Sequence, residues 1–408
     1  MKPQIRFKGF TDDWERSKIG EIVQFGKGHG YSKSDLQDKG EPIVLYGHMY
    51  TQYTSVIRDI KHYATLKENS ILSQGDEVII PSSGETPEDI SIASAIKLKN
   101  IIIGGDLNIL RFKKQLIDPS FAAIAITNSP THEELSKFAQ GKTIVHLRNS
   151  DISKGHISYP YFEEQICLSK YIETIEEYIS TIDKKISSLK QIKLACLQSM
   201  FPQEGESVPK VRFKGFNEEW RTKRLSDCLL VSHDKNIDNI YNVNDVLSVS
   251  DDYGVKNQIE LLGRSYAGKS VSKYGILHKE EIVFTKSPLK TKPFGIVKMN
   301  TYKTGIVSVL YAIYKANKNI SPLYIHYYFD PAWRLNKYLS PLVNKGAKNT
   351  MNISDEYALS GEIMIPSFQE QQKIAAYFEN LDKQISLQTQ RLEKLKQVKS
   401  ACLDKMFV

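Results

Sequence analysis

The chain has 408 residues, 41% of them apolar and 25% charged, which is the make-up of a globular protein with two to four domains at roughly 100–200 residues each. No apolar run approaches the ~18–20 residues of a membrane span, and the opening Met1-Lys2-Pro3-Gln4-Ile5-Arg6 lacks the apolar stretch of a secretory signal. A membrane or secreted protein is thereby excluded, the expected location is the cytoplasm, and the net charge of +8 permits an anionic partner without requiring one. Cys167, Cys196, Cys228 and Cys402 are too far apart for a C-x-x-C site and read as free thiols.

In chain order, the first recognisable unit is Pro3–Trp14, PQIRFKGFTDDW. The glycine-rich stretch Phe25–Gly30 follows. It lacks both the G-x-G-x-x-G spacing and a terminal Gly-Lys-Ser/Thr, so it reads as a turn and not a phosphate loop. Short strands are predicted at Glu77–Ile80, before the turn Pro81-Ser82-Ser83-Gly84, and at Ile101–Ile103, before Gly104-Gly105. A helical stretch is predicted near 118–139. From the entry Pro160-x-Phe162-x-Glu164-Gln165, a heptad seam runs through Leu168, Ile172, Ile175, Ile179, Ile182, Ile186 and Leu189, with alternating steps of four and three. That helix ends in LKQIKLACLQSMF, Leu189–Phe201.

The opening, the helix entry and the helix ending then recur 206 residues later. Pro209–Trp220, PKVRFKGFNEEW, matches the opening at seven of twelve positions. Leu395–Phe407, LKQVKSACLDKMF, matches the helix ending at nine of thirteen. Pro366-x-Phe368-x-Glu370-Gln371 repeats the helix entry, and its seam is Ile374, Phe378, Leu381, Ile385, Gln388, Leu392 and Leu395. Gln388 is the one polar seam residue, a type that fixes register at some cost in stability. The bodies between these blocks, near 15–158 and 221–364, align only in fragments such as Ser150-Asp151 with Ser354-Asp355 and Gly141 with Gly346. In the second body a strand is predicted at Glu281–Phe284 and a helical stretch near 321–340. Asp330-Pro331-Ala332-Trp333 lacks the second proline of the Asp-Pro-Pro-aromatic motif of amino-methyltransferases. It reads as a helix start with Asp330 at the N-cap and Pro331 at the first helical position.

The expected fold is therefore α+β, an internal pseudo-two-fold duplication. Residues 1–160 and 202–365 form two β-rich domains. The helices at 161–201 and 366–408, each about 38 residues or ~55–60 Å long, pair as a long antiparallel two-helix coiled coil between them. A framework kept while the bodies diverge points to two related domains that recognise different things.

Cationic and aromatic residues interleave in both bodies, a pattern suited to phosphates and base edges. Between Gly263 and Lys303 there are nine Lys/Arg against two acids. In the first domain the candidate DNA contacts are Lys27, His29, Tyr46, His48, Tyr50, Tyr53, Lys61, Ser82, Ser83 and Gly84. In the second they are Arg264, Tyr266, Lys269, Lys273, Tyr274, Lys286, Lys290 and Lys292. Lys142, Lys345, Lys348 and Asn349 flank the Gly141/Gly346 match. The lysines are expected to meet phosphates, and His48, Ser82 and Asn349 to read bases. No H-x-x-x-H spacing and no G-x-S-x-G elbow occurs, so no catalytic residue or metal site is expected.

The doubled R-F-K-G-F-x-x-x-W opening, the P-x-F-x-E-Q helix entry and the L-K-Q-x-K-x-A-C-L-x-x-M-F ending resemble the specificity subunit of type I restriction–modification enzymes across the whole chain. The resemblance implies two target-recognition domains, each reading one half of an asymmetric split sequence in double-stranded DNA. It implies that the paired helices are a spacer that docks two methyltransferase (modification) subunits, with two restriction (motor–nuclease) subunits completing the endonuclease. S-adenosylmethionine, ATP and Mg²⁺ then belong to those partners, and none is bound by this chain. A stand-alone DNA-binding regulator or restriction-blocking decoy is the alternative.

Overall fold

The structure, a computed structural model, describes residues 2–268, 270–289, 291–345 and 351–408. Lys269, Lys290, Lys348 and Asn349 lie outside the described residues. The chain divides into two compact units, Met1–Lys185 with Gln388–Val408, and Ile186–Leu387.

The framework of unit 1 is β1 (Glu15–Lys18), β2 (Val23–Lys27), β3 (Glu77–Pro81), β4 (Leu107–Phe112), α1 (Pro119–Asn128), α2 (Pro130–Phe138), β5 (His156–Tyr159) and the start of α3 (Phe162–Ser199). A five-stranded sheet runs in the order β2, β4, β3, Ser94–Ile96, Val56–Ile57, antiparallel except for the last pair. All five residues of β3 are buried, so the strand is covered on both faces. Its side chains alternate: Val78 and Ile80 face the buried helix α1 with Phe121 and Ile124, while Ile79 joins Ile103, Leu107 and Ile109 on the other side. Helix α1 starts where Asp118 accepts from the Phe121 amide and Pro119 takes the first turn, and α2 starts likewise at Ser129-Pro130.

Unit 2 repeats this plan with β6 (Arg221–Arg224), β7 (Leu229–Val231), β8 (Ile282–Phe284), β9 (Val297–Met299), β10 (Ala312–Ala316), α4 (Pro322–Phe329), α5 (Ala332–Leu339), β11 (Glu362–Ile365) and the start of α6 (Phe368–Met406). Its sheet runs β7, β10, β8, β9, all antiparallel. One prediction fails here. Asp330 does not cap α5; it closes the end of α4, and Pro331 is the N-cap of α5. The Asp330 carboxylate turns inward, accepting from Lys298 at 2.6 Å and pairing with Lys193 at 3.1 Å. A charge-assisted buried bond outweighs a single cap.

The repeated blocks are the joints of this scaffold. Arg6 grips the buried Glu164 carboxylate with Nε at 2.6 Å, and Arg212 grips Glu370 at 2.7 Å. The Gln165 amide donates to the Pro160 carbonyl and accepts from the Asp118 amide, fastening the start of α1. Gln371 does the same with Pro366 and Ser321 at the start of α4. Pairing Glu15 with Tyr159 in unit 1 and Arg221 with Ile365 in unit 2 keeps the same offset. In unit 1 Phe407, just past the end of α6, packs on Trp14 and Phe121. In unit 2 Phe201, two residues past the end of α3, packs on Trp220, Tyr324 and Phe378.

Within unit 1 the helices run antiparallel: Tyr171 of α3 meets Cys402 of α6, and Glu176 meets Lys399. Within unit 2, Lys193 meets Asp382 and Cys196 meets Tyr377. Every predicted seam residue, Gln388 included, is buried or half-buried. All four cysteines are free thiols. No helix among the described residues is long and apolar enough to cross a membrane.

Candidate nucleic-acid interface

In unit 1, β2 and β3 end where β4 begins, because Lys27 pairs with Asn108 and Pro81 with Leu107. The loops leaving this sheet end are tied to one another. The Ser82 amide donates to Asp106 at 2.8 Å, the Gly105 amide to Gly30 at 2.6 Å, and the His29 amide to Ile103 at 3.3 Å. A Cβ at Gly28 would lie 1.9 Å from the Gly104 carbonyl oxygen. The glycine-rich stretch thus permits close loop packing and leaves no phosphate cradle. Strand Val145–His146 pairs with Ser83–Gly84, which brings the Gly141–Ile144 turn alongside. The helix Tyr46–Thr51 is latched on by Tyr50, whose hydroxyl donates to the Ser83 carbonyl at 2.8 Å.

Seven candidates therefore converge on one sheet end: Lys27, His29, Tyr46, Tyr50, Ser83, Gly84 and Lys142. Lys27, His29, Lys142 and both tyrosines are exposed. Sequence reasoning missed their neighbours His146 and Arg148, which are exposed while Val145 and Leu147 are buried. That two-residue alternation was the available signal. Exposed cations beside exposed aromatic rings can meet phosphates and bases together.

Three candidates lie elsewhere. His48, Tyr53 and Lys61 line a cleft against α3, opposite Glu173, Glu176 and Glu177. Tyr46 and Tyr50 are four residues apart on the short helix, so His48 falls on its other side. His48 stacks on His62 with ring centroids 4.0 Å apart and accepts from the Leu45 amide at 3.2 Å. Burial and then the His62 charge push its pKa down to about 4, so it is neutral. Tyr53 donates to the Ala93 carbonyl at 3.3 Å, and burial raises its pKa to about 12. Arg58 pairs with Glu173 and Lys399 with Glu176, so these charges lining the cleft are already engaged within the protein. Ser82 is buried, its amide and carbonyl both used between strands. These four residues leave the candidate interface.

Unit 2 presents the matching sheet end. Val231 pairs with Tyr314 and Phe284 with Ala312, so the loops after β7 and β8 and before β10 emerge together. The basic run of this unit is largely internal. Lys286, at φ +43°, pairs with Asp355 at 2.6 Å. Lys292 is buried, donating to Asp251 at 2.6 Å and to the Asp330 carbonyl at 2.8 Å, while Lys298 binds Asp330. Burial alone would raise the Asp330 carboxyl, but Lys298, His326 and Lys193 hold it below the usual carboxylate range. Lys292 is thus removed as a phosphate contact, and Lys286 is held by an acid. Arg264 stacks on the Tyr266 ring at 4.6 Å, both exposed, and Lys273 is exposed. Tyr274 is half-buried against Val246, Val271 and Ile306. Lys345 lies in the short strand Asn344–Lys345.

No cluster of His, Cys, Asp or Glu suited to a metal occurs among the described residues. The fold defines a class: a duplicated α+β protein in which one framework carries two chemically different sheet ends. Residues 11–193 and 217–397 match the family described as type I restriction modification DNA specificity domain. The chain belongs to that family and is a DNA specificity subunit. It is similar to the type I restriction-modification system S subunit from M. genitalium, at 13% identity and TM-score 0.64, covering 100% of this chain and 99% of that one. It also matches the HsdS subunit from Thermoanaerobacter tengcongensis at 16% identity and TM-score 0.44, covering 98% and 97%. Among curated proteins no match is found.

Proposed function

We propose that each unit reads one half of an asymmetric, split sequence in double-stranded DNA within a type I restriction–modification complex. The chain itself carries no catalytic residue. Helices α3 and α6 dock two methyltransferase subunits, and two restriction subunits complete the endonuclease in the cytoplasm. S-adenosylmethionine, ATP and Mg²⁺ are held by those partners. The observation that carries the reading is that two equivalent sheet ends, formed by the same strands in the same order, display different side chains. One shows Lys27, His29, Tyr46, Tyr50 and Lys142; the other follows β7 and β8. A palindromic site would need identical faces.

The test is methylation mapping of a host that expresses this chain with its cognate methyltransferase, against a host lacking the chain. A new split, asymmetric motif supports the reading. A complex that assembles yet leaves methylation independent of this chain overturns it. Exchanging residues 221–364 for those of a relative is expected to change one half-site only.

A further inference from the structure

The loop that leaves β7 in unit 2 displays Ile237 and Ile240, each 72% exposed, the highest value for any large apolar residue among those described. The loop is nevertheless firmly built. Asn236 is buried: its side-chain amide donates to the Tyr241 carbonyl at 2.8 Å, its side-chain oxygen accepts from the Tyr241 amide at 3.0 Å, and its backbone amide donates to Tyr274 at 3.0 Å. The Asn239 amide closes back on the Asn236 carbonyl at 3.0 Å with Asn239 at φ +52°, a conformation asparagine tolerates. Asn242 then bonds Asp245 at 2.9 Å to end the loop. A firmly built loop that holds two isoleucines in water leaves both apolar side chains free to meet a ligand.

Asp238 and Asn239 stand exposed between them, and Asp238 makes no hydrogen bond or ion pair among the described residues. Lys235 and Lys273 are exposed nearby, Lys235 bridging to Gly275 and Lys273 preceding Tyr274. The loop occupies the same sheet end as Lys27–Tyr31 in unit 1, since β2 and β7 hold the same place beside β4 and β10.

We propose that residues 236–241 are the base-reading element of unit 2, an inference that rests on the DNA-reading function above. The occupant is the major groove of duplex DNA. An asparagine amide matches the N6/N7 edge of adenine, a carboxylate accepts from cytosine N4, and apolar side chains pack on thymine methyls. Polar base-edge groups alternating with small apolar contacts fit a groove better than a protein partner, which needs a continuous apolar patch of several hundred Å².

Asn239→Ala, Asp238→Ala and the double variant Ile237→Ala/Ile240→Ala are co-expressed with the cognate methyltransferase, and methylated motifs are mapped. Each is expected to relax one or two positions of a single half-site, raising methylation of singly altered sites at least about 10-fold. Co-purification of the methyltransferase and the other half-site stay unchanged. An unaltered motif in all variants, with assembly intact, overturns the inference but leaves the DNA-reading function standing. Loss of assembly in the isoleucine variant assigns the loop to a protein partner and overturns it as well. Absence of any motif with the unaltered chain overturns both.

Discussion

Lys193 on α3 pairs with Asp382 on α6 at 2.8 Å in unit 2, and Lys399 on α6 pairs with Glu176 on α3 at 2.6 Å in unit 1. Both lysines occupy the fifth position of the repeated L-K-Q-x-K segment, and the carboxylates keep the same offset of 206. Each pair also reaches into its globular body. Asp382 accepts from the Tyr327 hydroxyl at 2.9 Å and Lys193 binds Asp330, while Glu176 accepts from Ser55. Burial would lower the Lys193 pKa, but Asp330 and Asp382 hold it above its ordinary value. The framework motif thus carries a clamp between helices and domain, with more partners in unit 2.

Lys193→Met is therefore expected to destabilise unit 2 by about 3 kcal/mol, because Asp382 loses its cation and Asp330 is left with Lys298 alone. Lys399→Met removes a single ion pair, to Glu176, and is expected to cost about 1 kcal/mol. Denaturant unfolding of the two variants checks the order, and equal losses would show that the Asp330 network adds nothing.

The aromatic plugs at the helix ends give a second prediction. Phe407 is buried with its ring centroid 5.7 Å from that of Phe121, and Phe201 is buried against Trp220 and Tyr324. Phe407→Ala and Phe201→Ala should each cost about 3–5 kcal/mol through lost burial and the cavity left behind. Deleting residues 400–408 should do at least as much harm to unit 1, read as loss of the cooperative unfolding transition.

Acid sensitivity in unit 2 should come from His326. His326 is half-buried with its Nδ1 fully buried and unpartnered, and desolvation, then Lys298, push its pKa down to about 3, with Asp330 opposing and Lys193 and Lys292 adding to the shift. The unfolded chain takes up this proton near pH 6.5, but the folded one does so only near 3. Stability is therefore complete above pH 6.5 and falls as pH drops towards 3, by at most about 1.4 kcal/mol per pH unit from this group. His326→Leu should keep stability at pH 8 within about 1 kcal/mol and flatten the slope between pH 6 and 4. An unchanged slope would move the acid response to another group.

The duplicated joints were legible because they are local words repeated intact: Arg6 with Glu164, Gln165 at its proline, and the heptad seams. The strands at Glu77–Pro81 and Ile282–Phe284 were legible as short apolar runs between turn residues. The binding face was legible only in part, since composition does not tell a solvated cation from a paired one. Lys292 and Lys298 sit in a basic run whose counter-ions, Asp251 and Asp330, come from distant segments. His48 and Tyr50 are two residues apart but point to opposite sides of one helical turn. The Ile237–Ile240 loop escaped notice because its isoleucines read as core residues until their exposure was known.

Those placements lead to a prediction for the salt dependence of DNA binding. Each lysine that displaces a counter-ion from a phosphate adds about 1 to the slope of log affinity against log salt. Lys27 and Lys142 are exposed on the sheet end of unit 1 and make no ion pair among the described residues. Lys27→Ala and Lys142→Ala, in the complex with the methyltransferase, should each lower the slope by about 1 and weaken all sequences alike. Lys292→Ala should leave the slope unchanged, because its ammonium is occupied by Asp251 and the Asp330 carbonyl. It should instead lower stability by about 1–2 kcal/mol, because Asp251 is left with Lys298 alone and the Asp330 carbonyl loses its donor. A flattened slope for Lys292→Ala with full stability would show that the lysine leaves this network to meet DNA.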